Sequence, residues 1–463
     1  MGKIGFDVPT SPRKTVLYDL EENWYQPLLS QKLGRPVEPA KRSNFGQYDM
    51  AVNYLTSVLE ESVAINNVAI YNIDHMAQIE FRGKDAMALL DRVLPADVAA
   101  MKDNQCKYTL LLNENGTVRD DLIIMRGNEE LFILVINAGH DLTGHGFDDH
   151  GEPKEFLSDA DFILSFMKPG DDVQVRDISA DYVKIDIQGP LSYKLVKSIY
   201  GAEVLKNPNN PEKNMNFFTF NEFSVEGKNF YISRTGYTNR WGWELYVPVA
   251  LVESHFKKIV SKALELGGLL VGLGGRDENR ISAGDFGLPL MGQEYDGKHN
   301  PVGAPLFDAA IDLNKANFVG KQALENVIAH GTDKQMAVVI SEGIVVGRGV
   351  YHNGKRIGTA TSSINSPNVP LEKRLVIGSK RKSVTDPEGI AAIGICWLSS
   401  LPEVFSEEGK DEDAEVKISA YIPVEFFKEE NGQPIGKPVL GIISLDGVIP
   451  ATASKPLKLI ENL

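Results

Sequence analysis

The chain is short of cysteine, of positive charge and of long apolar runs, and each shortage removes a class of protein. Two cysteines in 463 residues, Cys106 and Cys396, cannot build a disulfide framework, and neither belongs to a Cys-x-x-Cys pair. A reducing compartment, the cytoplasm, is therefore expected. The opening "MGKIGFDVPTSPRKTVLYDLEENWYQPLL" has no apolar stretch of the kind that makes a signal peptide or a membrane span. It also lacks the Ser or Thr that follows Gly2 in a myristoylation start. Basic residues number 48 against 63 acidic ones, a formal charge of −15. That balance argues against nucleic acid or an anionic membrane as the main partner. Gly272, Gly274 and Gly275 fit neither dinucleotide nor P-loop spacing and read as a tight turn before a helix.

What is present is an ordinary globular composition, 43% hydrophobic and 24% charged, in a chain too long for one core. Residues 1–45 read as an extended arm with one short helix. Residues 47–65, "QYDMAVNYLTSVLEESVAI", have apolar spacing that predicts an amphipathic helix. "AIYNIDHMAQIEFRG" alternates like a strand, and "KDAMALLDRVL" follows as a helix. The run from Cys106 to Ala138 gives strand, turn, strand, turn, strand, with Asn113 to Gly116 as the first hairpin loop. Further on, "YVKIDIQGP" predicts a strand, "LSYKLVKSIYG" a helix and "FFTFNEFSVEGKNFYISRTGY" a hairpin. Mixed blocks of this kind favour α+β layers. From about Lys334 the chain becomes short strands and turns, the pattern of a small barrel or sandwich. The expected organisation is an arm (1–45), an α+β region of two subdomains (46–330) and a C-terminal β-barrel domain (331–463).

Four groups of residues invite chemistry. Asp120 and Asp121 lie on one strand, so alternation sends one to solvent and the other inward, where a carboxylate needs a donor. The pair could equally cap a turn. Glu244 sits in "GWELYV" on the strand face opposite Trp243 and Leu245. It is either held by a cation, with Arg276 the candidate, or free for a ligand. His140, His145 and His150 recur at a spacing of five in a glycine-rich stretch, which fits no standard zinc pattern, and no metal is expected. Cys106 reads as a buried structural thiol.

Seven stretches, in order, resemble the glycine cleavage T-protein (aminomethyltransferase) family, which includes tetrahydrofolate-dependent demethylases such as dimethylsulfoniopropionate demethylase. They are "IDHMAQIEFRGKDAMALL", "CKYTLLLNENGTVRDDLIIM", "IQGP", "SRTGYTNRWGWELYVP", "GLGGRDENRISAGDFGLPLMGQEYD", "NFVGKQAL" and "NGKRIGTATSSINSP". The resemblance implies a three-domain cloverleaf around a central folate channel, with a C-terminal barrel-like domain. It implies tetrahydrofolate as cofactor, bound by Tyr108, Asp121, Tyr237, Glu244 and Arg276. Glu244 would take the N–H edge of the pterin, a bidentate arrangement suited to a carboxylate. Asp121 would be the catalytic residue beside the reactive folate nitrogen.

The sequence departs from the family where "GYTNRWGWE" stands in place of "GYTGEDGFE", at Arg119 and near Asp285. These changes make the expected donor side more cationic and more aromatic. Arg119, Arg240, Trp241 and Trp243 are accordingly candidates for binding a small methylated carboxylate as methyl donor, with the indoles lining the channel or, equally, packing at a domain interface. The alternatives are a T-protein acting on an aminomethyl-lipoyl carrier protein, and a folate-binding regulator without catalysis. A fragment of a flavin enzyme is disfavoured by the lack of a Rossmann fingerprint.

Overall fold

A computed structural model describes residues 3–147, 153–282, 287–331, 334–367, 369, 391–399, 422–444, 452–461 and 463. Asp285, His150, the basic insertion around 373–389 and the acidic segment 402–417 lie outside these residues. Among the described residues, no helix is long and apolar enough to cross a membrane.

Two large sheets and a closed barrel organise the described residues. The first has five antiparallel strands in the order Gln174–Asp177, Ala77–Arg82, Leu131–Ile136, Val118–Asn128, Gln105–Leu112. One face carries Ile79, Leu122, Ile124 and Leu134, which pack on Leu89, Leu90 and Val93 of the helix Ala86–Val93. The other carries Cys106, Met125, Ile133 and Val135 and meets Tyr246 of the second sheet. Both faces are therefore covered. This corrects the expectation for the Asp pair: Asp120 shares the helix-covered face with Leu122 and is 0% exposed, while Asp121 is half-buried on the other face.

The second sheet has six strands: Phe220–Val225, Lys228–Ser233, Gly242–Pro248, Tyr182–Gln188, Ala69–Asn72 and Leu269–Val271, with only the last pair parallel. Alternation in "YVKIDIQ" and "GWELYVP" divides it sharply. Val183, Ile185, Ile187, Trp243, Leu245 and Val247 enter the largest core, under the helices Ser192–Tyr200 and Val252–Glu265. Lys184, Asp186, Gln188 and Glu244 take the opposite side and face the first sheet. The third unit is a closed barrel of six strands, beginning at Gln335–Ser341 and ending at Gln433–Ser444. Arg280, on the helix Leu273–Ser282, ties it on by donating to Ser362 Oγ (2.8 Å) and pairing with Glu294 (3.1 Å).

The start of the chain differs from the reading above. The arm is largely helical from Tyr18 to Leu33, and Leu17, Tyr25 and Leu29 are buried in the core of the second sheet. The predicted helix at 47–65 is instead a hairpin, Lys41–Phe45 against Tyr48–Asn53, followed by the helix Val58–Ser62. Gly46 and Gln47 have φ of +53° and +68°, which makes the two-residue turn, and Ser57 caps the short helix through a bond from Leu59 N (3.2 Å). Gly274 and Gly275 lie in the first turn of the helix Leu273–Ser282 and not before it. The glycine-rich residues 142–147 form a strand pairing with Phe6–Asp7 and Pro153–Phe156.

Candidate active site

The polar face of the six-stranded sheet and the inner face of the five-stranded sheet do not close on each other completely. Between them is a cavity of about 270 Å³. Met76, Ile123, Val135, Phe217, Phe218 and Leu290 give it apolar walls, and Asp121 and Glu244 lie on opposing sheets. Tyr108, Tyr237 and Arg276 also line it. The five residues singled out as folate contacts thus meet in one place, although they come from positions 108 to 276 of the chain.

Glu244 is not paired with Arg276. Its Oε2 accepts from Thr235 Oγ1 at 2.7 Å and lies 3.4 Å from Lys184 Nζ. Lys184 is only 1% exposed, so this carboxylate and ammonium are held out of water together. Arg276 is stacked over the Tyr237 ring at 4.8 Å, and its Nε has no partner. Tyr237 in turn donates to the Pro289 carbonyl. Asp121 accepts from Asn137 Nδ2 (2.7 Å) and from Tyr108 Oη (3.2 Å). Burial pushes the Asp121 carboxyl up, opposed by the bonds from Asn137 and Tyr108.

Several groups here were not singled out from sequence. Lys184 was hidden because a strand with one polar face looks solvent-exposed, whereas this face is the cavity side. His75 lines the cavity, is 3% exposed, and has no partner for Nδ1. Burial, then the charges of Arg276 and Lys184, hold its imidazole well below its ordinary pKa, in the neutral form. Asp186, opposite Glu244 in the strand register, is pushed up to about 7, first by burial and then by the Glu244 charge. Phe45, at the hairpin tip, lines this cavity and both neighbouring ones, and stands edge-on to His75 at 5.2 Å.

The four residues proposed for the donor are elsewhere. Arg119 Nε donates to Asp159 (2.8 Å), its Nη2 to Leu157 O (2.6 Å), and its guanidinium covers Phe162. Arg240 is buried and donates to the Thr238 and Asn279 carbonyls at 3.1 and 3.2 Å. Trp243 is 0% exposed in the core, on the sheet face opposite Glu244, so it cannot reach the cavity. Trp241 packs at the edge of that core and donates from Nε1 to the Lys455 carbonyl at 3.2 Å.

Residues 37–315 match the GCVT N-terminal domain family. The chain belongs to this family. It is 32% identical to an aminomethyltransferase of Alkaliphilus oremlandii over 71% of this chain and 83% of that protein. It is 31% identical to one from Desulfitobacterium hafniense over 73% and 86%. A crystal structure of the glycine cleavage system aminomethyltransferase T from Bartonella henselae superposes with a TM-score of 0.68 at 24% identity, covering 96% of this chain and 99% of that one. That likeness establishes the fold. Membership of the GCVT family makes the chain a transferase, and tetrahydrofolate is the cofactor of that family.

Proposed function

We propose that this GCVT-family protein transfers a one-carbon unit to tetrahydrofolate, with an aminomethyl group on a lipoyl carrier protein as the donor. The observation that carries the folate site is the pairing of Glu244 and Asp121 on opposing sheets across an apolar slot. The slot suits a flat ring with a hydrogen-bonding edge, and the unpartnered Nδ1 of His75 and Nε of Arg276 leave two buried polar atoms for a ligand. Bound tetrahydrofolate supplies the nucleophilic nitrogen that accepts the carbon.

The residues of the chain do the rest. Glu244, oriented by Thr235 and charge-balanced by Lys184, fixes the N–H edge of the ring. Tyr108 and Asn137 hold Asp121 as an acceptor, so that it would orient the attacking folate amine and take its proton as the new C–N bond forms, while the carbon gives up its own amine as ammonia and its sulfur as the lipoyl thiol. The aminomethyl donor is favoured by the relatives, which are aminomethyltransferases. A methylated carboxylate donor has lost its support from Arg119, Arg240, Trp241 and Trp243, all of which are engaged outside the cavity.

The test is direct. The purified protein is incubated with tetrahydrofolate and either an aminomethylated lipoyl carrier or small methylated acids, and the folate products are weighed by mass spectrometry. Methylene-tetrahydrofolate with release of ammonia is expected from the carrier. Methyl-tetrahydrofolate from a small acid would replace the donor while keeping the transferase. Folate binding with no product from any donor would leave a binding protein.

A further inference from the structure

Behind Asp121, on the helix-covered side of its strand, lies a buried group of charges that the reaction as described does not use. Asp120 is 0% exposed and Asp159 1%. His140 Nδ1 lies 3.7 Å from Asp120 Oδ2 and 3.3 Å from Asp159 Oδ2, and Arg119 Nε donates to Asp159 Oδ1 at 2.8 Å. His140, 25% exposed, and Arg119, 20% exposed, thus face two carboxyl groups that are almost wholly buried. Such a cluster stays charged only if each member has its partner, and the loss of one leaves a buried charge uncompensated.

Asn137 connects this cluster to the cavity. Its backbone N–H donates to Asp120 Oδ2 (3.1 Å), and its Nδ2 lies 2.8 Å from Asp120 Oδ1 and 2.7 Å from Asp121 Oδ1. The side-chain amide is therefore held by Asp120 on one side and donates to Asp121 on the other. An amide does not give up its hydrogens, so this bridge transmits orientation and charge but passes no proton. We propose that Asp120 and Asp159 are positioning residues that hold His140 and Asn137 in place, and that His140 and Asn137 in turn favour the ionised Asp121 carboxylate and aim it into the cavity. This rests on the role given to Asp121 above.

The groups that face this network are few. His140 is held up to about 9 against its own burial by Asp120 and Asp159, with Arg119 opposing. Asp120 is raised by burial and by its neighbours Asp159 and Asp121, and lowered by His140. Asp121 is raised by burial, against which Asn137, Tyr108 and His140 lower it, and the hydroxyls of Tyr237 and Tyr295 are close enough to feel its charge. His140 also lines a second cavity with Asp296 and Lys298, which gives it contact with solvent. At neutral pH, then, His140 is a cation whose field favours the ionised form of Asp121. Asp120, His140 and Asp159 also offer donor atoms within 4.8 Å of one another. A divalent cation there would have to take the proton of His140 and share Asp159 with Arg119, which holds the other carboxyl oxygen.

Two measurements separate this proposal from the function it rests on. The first needs no turnover. The carboxyl carbon of Asp121 is followed by NMR in protein labelled at aspartate, assigned by its loss in D121N. Replacing His140 by Gln removes a cation that favours ionised Asp121, and N137A removes a donor to it, so both should raise the pH at which Asp121 titrates, by about half a unit or more. The second is the pH profile of kcat for folate-dependent transfer. Its acid limb should move up in H140Q and N137A, and D120N should lower kcat about ten-fold or more with folate Kd nearly unchanged. Asp121 titrating as in the wild type in both H140Q and N137A would overturn the proposal whatever the reaction proves to be. So would a fall in thermal stability with an unmoved acid limb, or tight binding of Zn²⁺ or Mn²⁺ that H140Q abolishes. If the wild type transfers nothing but Asp121 still shifts, the network stands and the assigned reaction falls.

Discussion

Glu244 shows how far single residues could be read. Its direction followed from alternation alone, because Trp243 and Leu245 had to occupy the other face. Its partner did not, since Arg276 was the cation considered while Lys184 was concealed in a strand that looked half-solvated. This changes what the conservative substitution tests. Glu244→Gln removes the charge that balances Lys184, which is 1% exposed, and exchanges one acceptor for a donor. Loss of a charge-assisted contact should cost about 1.5–3 kcal/mol of folate binding, roughly ten-fold to a hundred-fold in Kd. Calorimetry that returned the wild-type affinity would remove Glu244 from the ring edge. The Asp pair was legible only in part. Opposite directions were predicted correctly, but solvent on one side was not, because a helix Ala86–Val93 and the segment Asp159–Leu164 cover that face. Long-range cover of this kind leaves no local mark in "VRDDLII".

At the scale of elements, strands and hairpins with strict period-two alternation were recovered, and the ambiguous short apolar run at 47–65 was not. There, the left-handed pair Gly46-Gln47 and the cap at Ser57 outweighed a spacing compatible with a helix. The strand Gly242–Pro248 allows two sharper tests. Trp243 fills the core behind the sheet, so Trp243→Ala should cost about 3–5 kcal/mol in denaturant unfolding. Folate affinity of the folded fraction should be unchanged, and a selective loss of binding would return the indole to the channel. On the cavity side, a Cβ at Gly236 or Gly242 would each come within 2.2 Å of the Gln188 side chain. Gln188 cannot swing away freely, because Nε2 donates to Asp186 (2.6 Å) and to the Thr235 carbonyl (3.1 Å) while Oε1 accepts from Thr238 (2.8 Å). Gly242→Ala should therefore displace the turn that presents Thr235 to Glu244, and weaken folate binding by more than it lowers the unfolding midpoint.

The whole molecule adds a connection that no local pattern announced. The end of the chain does not stay with the barrel. Leu457 and Ile460 are buried in the core of the six-stranded sheet, at 3% and 1% exposure. Arg234, itself 4% exposed, donates to the carbonyls of Ala453 (3.1 Å) and Lys455 (2.6 Å), and Trp241 donates to Lys455 as well. The backbone of Thr452 and Ala453 bonds to the Asn239 carbonyl at 2.8 and 3.1 Å. The tail thus clamps both ends of the segment 234–241, and that segment carries Thr235 and Tyr237 into the cavity. Loosening the tail should therefore be felt at the proposed folate site before it is felt in the barrel. Each aliphatic truncation in such a core costs about 2–5 kcal/mol, so the double substitution Leu457→Ala, Ile460→Ala should release the tail. Amide exchange should then rise across 234–241 with no change in the strand Gln335–Ser341, and folate affinity should fall several-fold. Faster exchange in the barrel strands with 234–241 still protected would mean that the tail stabilises the third unit instead, and that Thr235 and Tyr237 are held in place by the sheet alone.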